Sequence, residues 1–270
     1  MENNDWHLSL EKYRLLGYII PQPSLIKTEE QLEGIRQSGI ITTQILDMIN
    51  KEIREGMTTA ALDKLVHTYT LDHHAVPATL NYNGFPKSVC ISINDVVCHG
   101  IPDEKTVLKS GDIVNVDVST ILNGYFSDAS RMYMIGQVRP NAERLVKVTK
   151  ECLDIGAGQV KPYGSTSDIG RAIEPYANKN GYSVVRDLGG HGVGLKFHED
   201  PHIDHFKRND KGFLMLPGMV FTIEPMINEG GYSVKIARDK WTITTRDGSL
   251  SAQWEYTLAV TKNGYEKLAW

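Results

Sequence analysis

The sequence predicts an α+β fold in which helices cover one face of a curved, antiparallel sheet. Helical periodicity and then strand-like alternation occur twice along the 270 residues, as two helices followed by several strands. Hydrophobic residues make up 41% of the chain, which is enough for one large core or two smaller ones. The three cysteines are odd in number and have no CxxC spacing, which disfavours a disulfide framework and fits reduced thiols in a cytosolic compartment.

The N-terminal residues differ from the rest of the chain. An apolar-periodic piece is followed by Pro21 and Pro23, which discourage helix on both sides. We therefore expect residues 1–23 to form an extension and linker, and residues 24–270 to form the main domain. The extension lacks the Cys/His spacing of a zinc module, so we expect it to be no more than a docking or packing segment.

Two helices are predicted next. Thr28 and Gln31 have the spacing of a capping box and open a helix that Gly56 is expected to end. A second helix starts at Thr58 or Thr59, and strand-like segments follow from about residue 87 to residue 135.

The second half repeats this order. A helix follows Pro140, another runs from about Thr166 to Asn178, and strands continue to about Thr261. A shift of 107 residues aligns some helical positions of the halves, which is weak support for an internal repeat, because any two amphipathic helices match at a few positions. The aligned pairs are Thr59 with Thr166, Leu62 with Ile169, Val66 with Ile173 and Tyr69 with Tyr176.

Charge and hydropathy exclude several classes of function. The chain has 29 basic and 33 acidic residues, and its net charge of −4 does not favour a polyanion such as nucleic acid. It has no apolar run of the about 18 residues that a membrane helix needs, and Met1–Asp5 lacks a signal-peptide pattern. We expect a cytoplasmic protein that binds neither DNA nor membranes.

Two aspartates are predicted to meet in one hairpin. Residues 113–119 alternate β-branched and polar side chains, which places Asp117 and Ser119 on one face of a strand. Asn123-Gly124 is a strong hairpin signal, and a two-residue turn there puts Asp128 opposite Ser119 and diagonal to Asp117, about 7 to 8 Å away at Cα. The aspartates either face water or share a cation or a proton.

Three further residues point to a metal. His191 lies among four glycines, and this is not a dinucleotide loop because position 195 is leucine where a third glycine is needed. Glu224 and Glu255 lie in otherwise apolar strands. One metal centre explains four carboxylates and a histidine better than separate structural roles, and oxygen-rich ligation suits two ions of Mn²⁺, Fe²⁺, Co²⁺ or Zn²⁺. A phosphatase or a nuclease uses the same ligands.

In this order, and with their surrounding sequence, the five residues resemble the type I methionine aminopeptidases, a family with the pita-bread fold. The resemblance covers about residues 26–268 and implies two pseudo-symmetric halves and a metallopeptidase catalytic domain at residues 24–270. The motifs that carry it are Lys87–Asn94, Val97–Pro102, Gly189–Gly194, Phe221–Pro225 and Ser249–Glu255.

The resemblance also implies a role for each residue of the site. Asp128 and Glu255 bridge two divalent ions, Asp117 completes one ion, and His191 with Glu224 completes the other. His99 and His198 resemble histidines that hydrogen-bond the peptide group of the substrate, while Glu224 shuttles a proton and a metal-bridging hydroxide is the nucleophile. The positions that match the methionine pocket are Tyr82, Phe85, Cys90, Phe197 and Trp241; Thr79 stands where many members carry cysteine.

The expected activity is removal of the initiator methionine from nascent proteins, with a small second residue preferred, by a monomer working close to the ribosome. A prolidase or Xaa-Pro aminopeptidase of the same fold shares the ligands but usually has a large N-terminal domain. A non-catalytic binding protein of this fold would have lost its ligands. A cysteine hydrolase with Cys98 and His99 is disfavoured because neighbouring strand residues face opposite sides, and there is no G-x-S-x-G elbow for a serine hydrolase.

Overall fold

The structure is a computed structural model that describes residues 10–270, so Leu8 and the rest of residues 1–9 of the predicted extension lie outside it. Residues 10–15 are helical, and short 3-10 turns lie at Pro23–Leu25 and Tyr82–Gly84. The longer helices of the described residues are α1 (Glu29–Glu52), α2 (Thr59–Asp72), α3 (Pro140–Ala157) and α4 (Ser167–Lys179). None of the described helices combines the length and hydropathy needed to cross a bilayer.

Fifteen short strands of the described chain form four sheets, and the strand pairs are antiparallel. The strands are β1 (Val76–Pro77), β2 (Cys90–Ile93), β3 (Val96–Cys98), β4 (Ile113–Leu122), β5 (Tyr125–Met134), β6 (Ser183–Val184), β7 (Gly190–Gly192), β8 (Glu199–Ile203), β9 (Val220–Ile223), β10 (Met226–Asn228), β11 (Val234–Ile236), β12 (Ile243–Thr245), β13 (Ser251–Gln253), β14 (Tyr256–Val260) and β15 (Tyr265–Ala269). One sheet has the order β1-β4-β2 with β5 paired to β4, and the largest has the order β15-β14-β9-β7-β8. The two remaining sheets are β13-β10-β6 and β11-β12-β3.

The predicted helix starts are confirmed. The Thr28 hydroxyl accepts from the backbone N–H of Gln31 at 3.2 Å, and the side chain of Gln31 accepts from the N–H of Thr28 at 2.9 Å. Helix α1 ends at Glu52, four residues before Gly56, because Ile53 already has extended backbone angles. Helix α2 begins at Thr59, as predicted.

Each helix pair covers its own part of the core. Leu46 of α1 and Leu62 of α2 are fully buried in one cluster with the inward valines of β4, whereas Leu145 of α3 and Ile169 of α4 are buried in a second cluster with Phe221 of β9. Two helix pairs on two clusters match the predicted order of elements. Asn115, Asp117 and Ser119 alternate with these valines along β4, so they lie on the opposite face of the sheet, which can carry a site.

The β4–β5 hairpin has the predicted register. Leu122 pairs with Tyr125 across the Asn123-Gly124 turn, and Ser119 pairs with Asp128. Asn123 and Gly124 both have positive φ, which is the backbone that this two-residue turn requires.

The described part of the extension lies on the second half of the molecule. Tyr13, Tyr18 and Ile20 pack against the core cluster that contains Leu145, and the ring of Tyr13 stacks on Tyr163 with centroids 6.1 Å apart. These contacts agree with a packing segment. The boundary between an extension and a separate domain stays a prediction.

A buried ion pair fastens the start of the main domain to β8. The Lys27 ammonium lies 2.9 Å from Oε2 of Glu199, and the two side chains are only 1% and 11% exposed. The other oxygen of Glu199 accepts from the N–H of Leu195 at 3.1 Å. The pair therefore holds the loop at residues 193–198 against the beginning of α1.

Replacing Lys27 with Met should lower the free energy of unfolding by about 3 kcal/mol, because Glu199 is then buried without its counter-charge. The double variant Lys27→Met, Glu199→Gln should recover most of this loss, since the amide carries no charge and still accepts from Leu195. Urea unfolding followed by circular dichroism measures both changes.

Arg14→Met is the matched control. Arg14 pairs with Glu11 at the surface, and such exposed pairs contribute little. We expect a change below about 0.5 kcal/mol for this control. Equal losses in Arg14→Met and Lys27→Met would contradict a stabilising role for the buried pair.

Candidate metal centre

One cavity of about 400 Å³ brings together all of the sequence-predicted site residues. Residues from both halves of the chain contribute to its wall. The predicted residues that line it are Asp117, Asp128, His191, Glu224 and Glu255, the two histidines His99 and His198, and the pocket residues Tyr82, Phe85, Cys90, Phe197 and Trp241.

The five candidate ligands come from different strands. Asp117 lies on β4, Asp128 on β5 and His191 on β7, while Glu224 directly follows β9 and Glu255 directly precedes β14. Single ligand atoms of Asp128, His191 and Glu255 lie within 4.8 Å of one another. Nε2 of His191 is 3.7 Å from Oδ2 of Asp128 and 3.7 Å from Oε1 of Glu224. These separations allow one ion to contact several of the groups.

Burial makes the charged form of these acids unfavourable. It raises the pKa of Glu224 to about 8 and the pKa of Asp117 to about 6. Burial, reinforced by the negative charges of neighbouring acids, places the pKa values of Asp128 and Glu255 well above the ordinary range. Four carboxyl groups therefore cannot all ionise here unless a cation is present.

Unpaired polar atoms show that the donor set fits a metal. Oδ1 of Asp117 and Oε1 of Glu255 are buried and have no hydrogen-bond partner among the described residues. Nδ1 of His191 donates to the carbonyl of Gly192 at 3.0 Å, which leaves Nε2 with a free lone pair. Oxygen atoms with one imidazole nitrogen suit divalent transition ions.

Neighbouring side chains orient the ligands. Ser119 donates to Oδ1 of Asp128 at 2.8 Å. Thr222 donates to Oε1 of Glu224 at 2.8 Å, and Gln253 donates to Oε2 of Glu224 at 3.0 Å. These bonds leave each carboxylate with lone pairs for a further partner, and they restrict its rotation.

The roles of Thr222 and Gln253 were not predicted from the sequence. A signal was present for Thr222, which lies two positions before Glu224 on the same strand run. No local signal was present for Gln253, which bonds Glu224 from 29 positions away. The buried His205 was also missed: its Nε2 accepts from the backbone N–H of Glu224 at 3.1 Å. No local pattern marks a residue that acts on a backbone 19 positions away.

The glycines around His191 let neighbouring strands approach one another. A Cβ on Gly190 would collide with the backbone of Thr222, and one on Gly192 with the backbone of Asp200. Close packing of β7 between β8 and β9 explains this run of glycines.

Cys98 and His99 do not face opposite sides, contrary to the prediction from strand alternation. Strand β3 ends at Cys98, and His99 has a φ of 56°, so both residues line the cavity. Burial and nearby carboxylates raise the pKa of the Cys98 thiol well above its usual range, which disfavours a thiolate nucleophile. Burial lowers the pKa of His99 to about 4, so its imidazole is neutral.

Aromatic rings form an apolar compartment next to the acids. The rings of Phe85 and Trp241 pack edge to face with their centroids 5.2 Å apart. The rings of Tyr82 and Phe197 pack in the same way with their centroids 4.7 Å apart. Burial raises the pKa of the Cys90 thiol well above its usual range, so this residue is a small neutral surface. The compartment suits an unbranched apolar side chain.

Comparison with known sequences identifies relatives along most of the chain. The model of metallopeptidase family M24 matches residues 33–262. Methionine aminopeptidase A of Synechocystis sp. is 49% identical over 241 residues, which are 89% of this chain and 95% of that protein. The methionine aminopeptidase of Salmonella typhimurium is 48% identical over 244 residues, which are 90% of this chain and 92% of that protein.

Solved structures show the same fold. The methionine aminopeptidase of Rickettsia prowazekii aligns with a TM-score of 0.89 at 48% identity, over 91% of this chain and 99% of that one. Prolidase from Pyrococcus furiosus aligns with a TM-score of 0.70 at 23% identity, over 91% of this chain and 65% of that one, and this match concerns the fold alone. The α+β pita-bread fold implied by the resemblance is confirmed. The family model and the curated relatives together show that the chain belongs to metallopeptidase family M24.

Proposed function

We propose that this protein is a methionine aminopeptidase that hydrolyses the first peptide bond of N-terminal methionyl peptides. One observation carries the proposal: a cluster of buried acids and one histidine opens into an aromatic compartment within a single cavity. Relatives that bear this activity in their names are nearly half identical over about 90% of the chain. A metallopeptidase of this family requires divalent metal ions.

We propose two ions per chain, drawn from Mn²⁺, Fe²⁺, Co²⁺ or Zn²⁺. The four carboxylates would carry a charge of −4 when ionised, which two divalent ions balance and one does not. The residues that would hold the ions are Asp117, Asp128, His191, Glu224 and Glu255. When bound, the ions supply the Lewis acidity that activates a water and polarises the scissile carbonyl.

The side chains of this protein would then bind and orient the peptide. His99 and His198 lie on the cavity wall where their ring nitrogens can meet a peptide group. The carboxylate of Glu224, steadied by Thr222 and Gln253, would take the proton of the water and pass it to the leaving amine.

The apolar compartment would hold the methionine side chain. Its sulfur and methylene groups suit the aromatic faces and the neutral thiol that form the wall, namely Tyr82, Phe85, Cys90, Phe197 and Trp241. The cavity of about 400 Å³ must also hold the peptide group, which favours a small second residue. We propose that the enzyme is a cytoplasmic monomer that works near the ribosome on nascent chains.

Metal binding should become tighter as the pH rises. The raised pKa values of Asp117 and Glu224 favour the folded, metal-free protein at low pH, and this stabilisation is lost as the pH rises through about 6 and about 8. Metal needs the deprotonated groups, so the increase in Tm on adding Mn²⁺ to chelated protein should grow between about pH 5 and pH 8. Thermal unfolding with and without Mn²⁺ at several pH values measures this increase in Tm. An increase in Tm that does not depend on pH would contradict the prediction.

Asp128→Asn should weaken metal binding and lower turnover at least about a hundredfold, since it removes the charge of one carboxylate that would hold the metal. The chelated variant should be as stable as the chelated parent or more so, because it loses one of several repelling buried acids. Turnover assays and thermal unfolding test the two parts. Asp47→Asn, on the exposed side of α1, is the control and should retain activity. Full activity in Asp128→Asn would show that the site is wrongly assigned.

Met-Ala-Ser should be hydrolysed at least about ten times faster than Met-Lys-Ser with added Mn²⁺ or Co²⁺, because a long second side chain meets the cavity wall. N-acetyl-Met-Ala-Ser should resist cleavage, since the free amine is needed at the metal centre. An Xaa-Pro aminopeptidase would cleave Ala-Pro-Ser, whereas the proposed methionine aminopeptidase should not. Equal turnover of all four peptides, measured by chromatography of the released amino acid, would refute the proposed specificity.

A further inference from the structure

A hydrogen bond crosses the cavity wall between the two halves of the chain. The hydroxyl of Tyr82 lies 3.0 Å from Nδ1 of His198. Tyr82 belongs to the 3-10 turn before β2, whereas His198 directly precedes β8. Both side chains line the cavity, so the contact lies where a substrate would bind.

The backbone around Tyr82 sets the position of its hydroxyl. The N–H of Tyr82 donates to the carbonyl of Thr79 at 3.0 Å, and the N–H of Phe85 donates to the carbonyl of Tyr82 at 2.9 Å. A third bond, from the N–H of Asn81 to the carbonyl of Phe85 at 2.8 Å, closes the turn. The Tyr82 ring also packs edge to face on Phe197. A tyrosine hydroxyl held in this way can fix the orientation of the imidazole that it contacts.

The imidazole of His198 is also constrained. Its ring lies 4.1 Å from the ring of His191 and 4.4 Å from the ring of Phe197, centroid to centroid. A neutral imidazole carries one N–H, on either Nδ1 or Nε2, and the hydrogen bond that the ring makes selects between the two. Among the described residues, the hydroxyl of Tyr82 is the hydrogen-bond partner of this ring.

The chemistry of the two groups indicates which one donates. A phenol is a stronger hydrogen-bond donor than a neutral imidazole N–H, and an imidazole nitrogen is a stronger acceptor than a phenol oxygen. The tyrosine O–H therefore donates to Nδ1. The single proton of the ring is then on Nε2, on the side of the imidazole away from Tyr82.

We propose that Tyr82 is a positioning residue, whose hydroxyl holds His198 in the tautomer that presents Nε2–H to the peptide group of the substrate. This inference rests on the proposed function, in which His198 donates to that group. Tyr82 then has two separable tasks: its ring lines the methionine compartment, and its hydroxyl acts on turnover through His198.

Tyr82→Phe separates these tasks because it keeps the ring and removes only the hydroxyl. We expect kcat for Met-Ala-Ser to fall about tenfold, the equivalent of one hydrogen bond, with KM within about twofold of the parent. If Tyr82 only lined the compartment through its ring, both kcat and KM would stay within about twofold of the parent. Tyr176→Phe is the matched control, since its hydroxyl donates to Glu151 at 2.6 Å on the helical face; both constants should be unchanged.

A double-mutant cycle tests whether Tyr82 acts through His198. His198→Ala should lower kcat at least about a hundredfold if the ring binds the peptide group. Adding Tyr82→Phe to His198→Ala should then change kcat by less than about twofold, because the partner of the hydroxyl is gone. Additive effects of the two substitutions would overturn the inference.

The tautomer has a direct readout that does not depend on activity. Nitrogen-15 spectra of histidine-labelled, metal-free protein, with the His198 signals assigned by His198→Gln, should show the proton of His198 on Nε2. Tyr82→Phe should move the ring toward a mixture of tautomers, and Tyr176→Phe should not. A proton on Nδ1 in the parent protein would overturn the inference.

These outcomes distinguish the two proposals. Parental kcat in His198→Ala would refute the role of His198 in the proposed function, and the inference about Tyr82 would fall with it. A large loss in His198→Ala together with parental kcat in Tyr82→Phe would overturn the inference alone. The proposed function would then stand.

Discussion

The mutual repulsion of buried acids is the constraint on which the site depends. Asp128, Glu224 and Glu255 lie almost fully inside the protein, and Asp117 lies half-buried beside them. The pKa values of all four are raised because ionisation there is unfavourable. Only the surrounding fold keeps them together, since each is held on a separate strand or next to one. Burial of these acids lowers the stability of the metal-free protein and raises its affinity for cations.

Much of this arrangement was predictable from local patterns. The Asn123-Gly124 turn determines the pairing of β4 with β5, so the register of Asp128 followed from a two-residue signal. Alternation along β4 placed its valines against the helices, as the structure confirms. The five candidate ligands were inferred from their sequence contexts, whereas the role of each ligand and the substrate contacts came from resemblance to a family; those roles stay predictions.

Other features depend on contacts that no local pattern encodes. The ion pair of Lys27 with Glu199 joins residues 172 positions apart, and the sequence marks neither as a partner. The positive φ of His99 is a further case, because nothing in the alternation of β3 shows where the strand ends. Helix α1 also stops before its expected glycine. Such features arise from tertiary packing, which overrides local preference.

The origin of the ligands in both halves has a consequence for biosynthesis. The β4–β5 hairpin, which carries Asp117 and Asp128, is synthesised well before His191, Glu224 and Glu255. A partly translated chain therefore contains only two of the five groups. The set is complete only after Glu255 has been added, so the proposed hydrolytic centre cannot form before nearly the whole chain has been made.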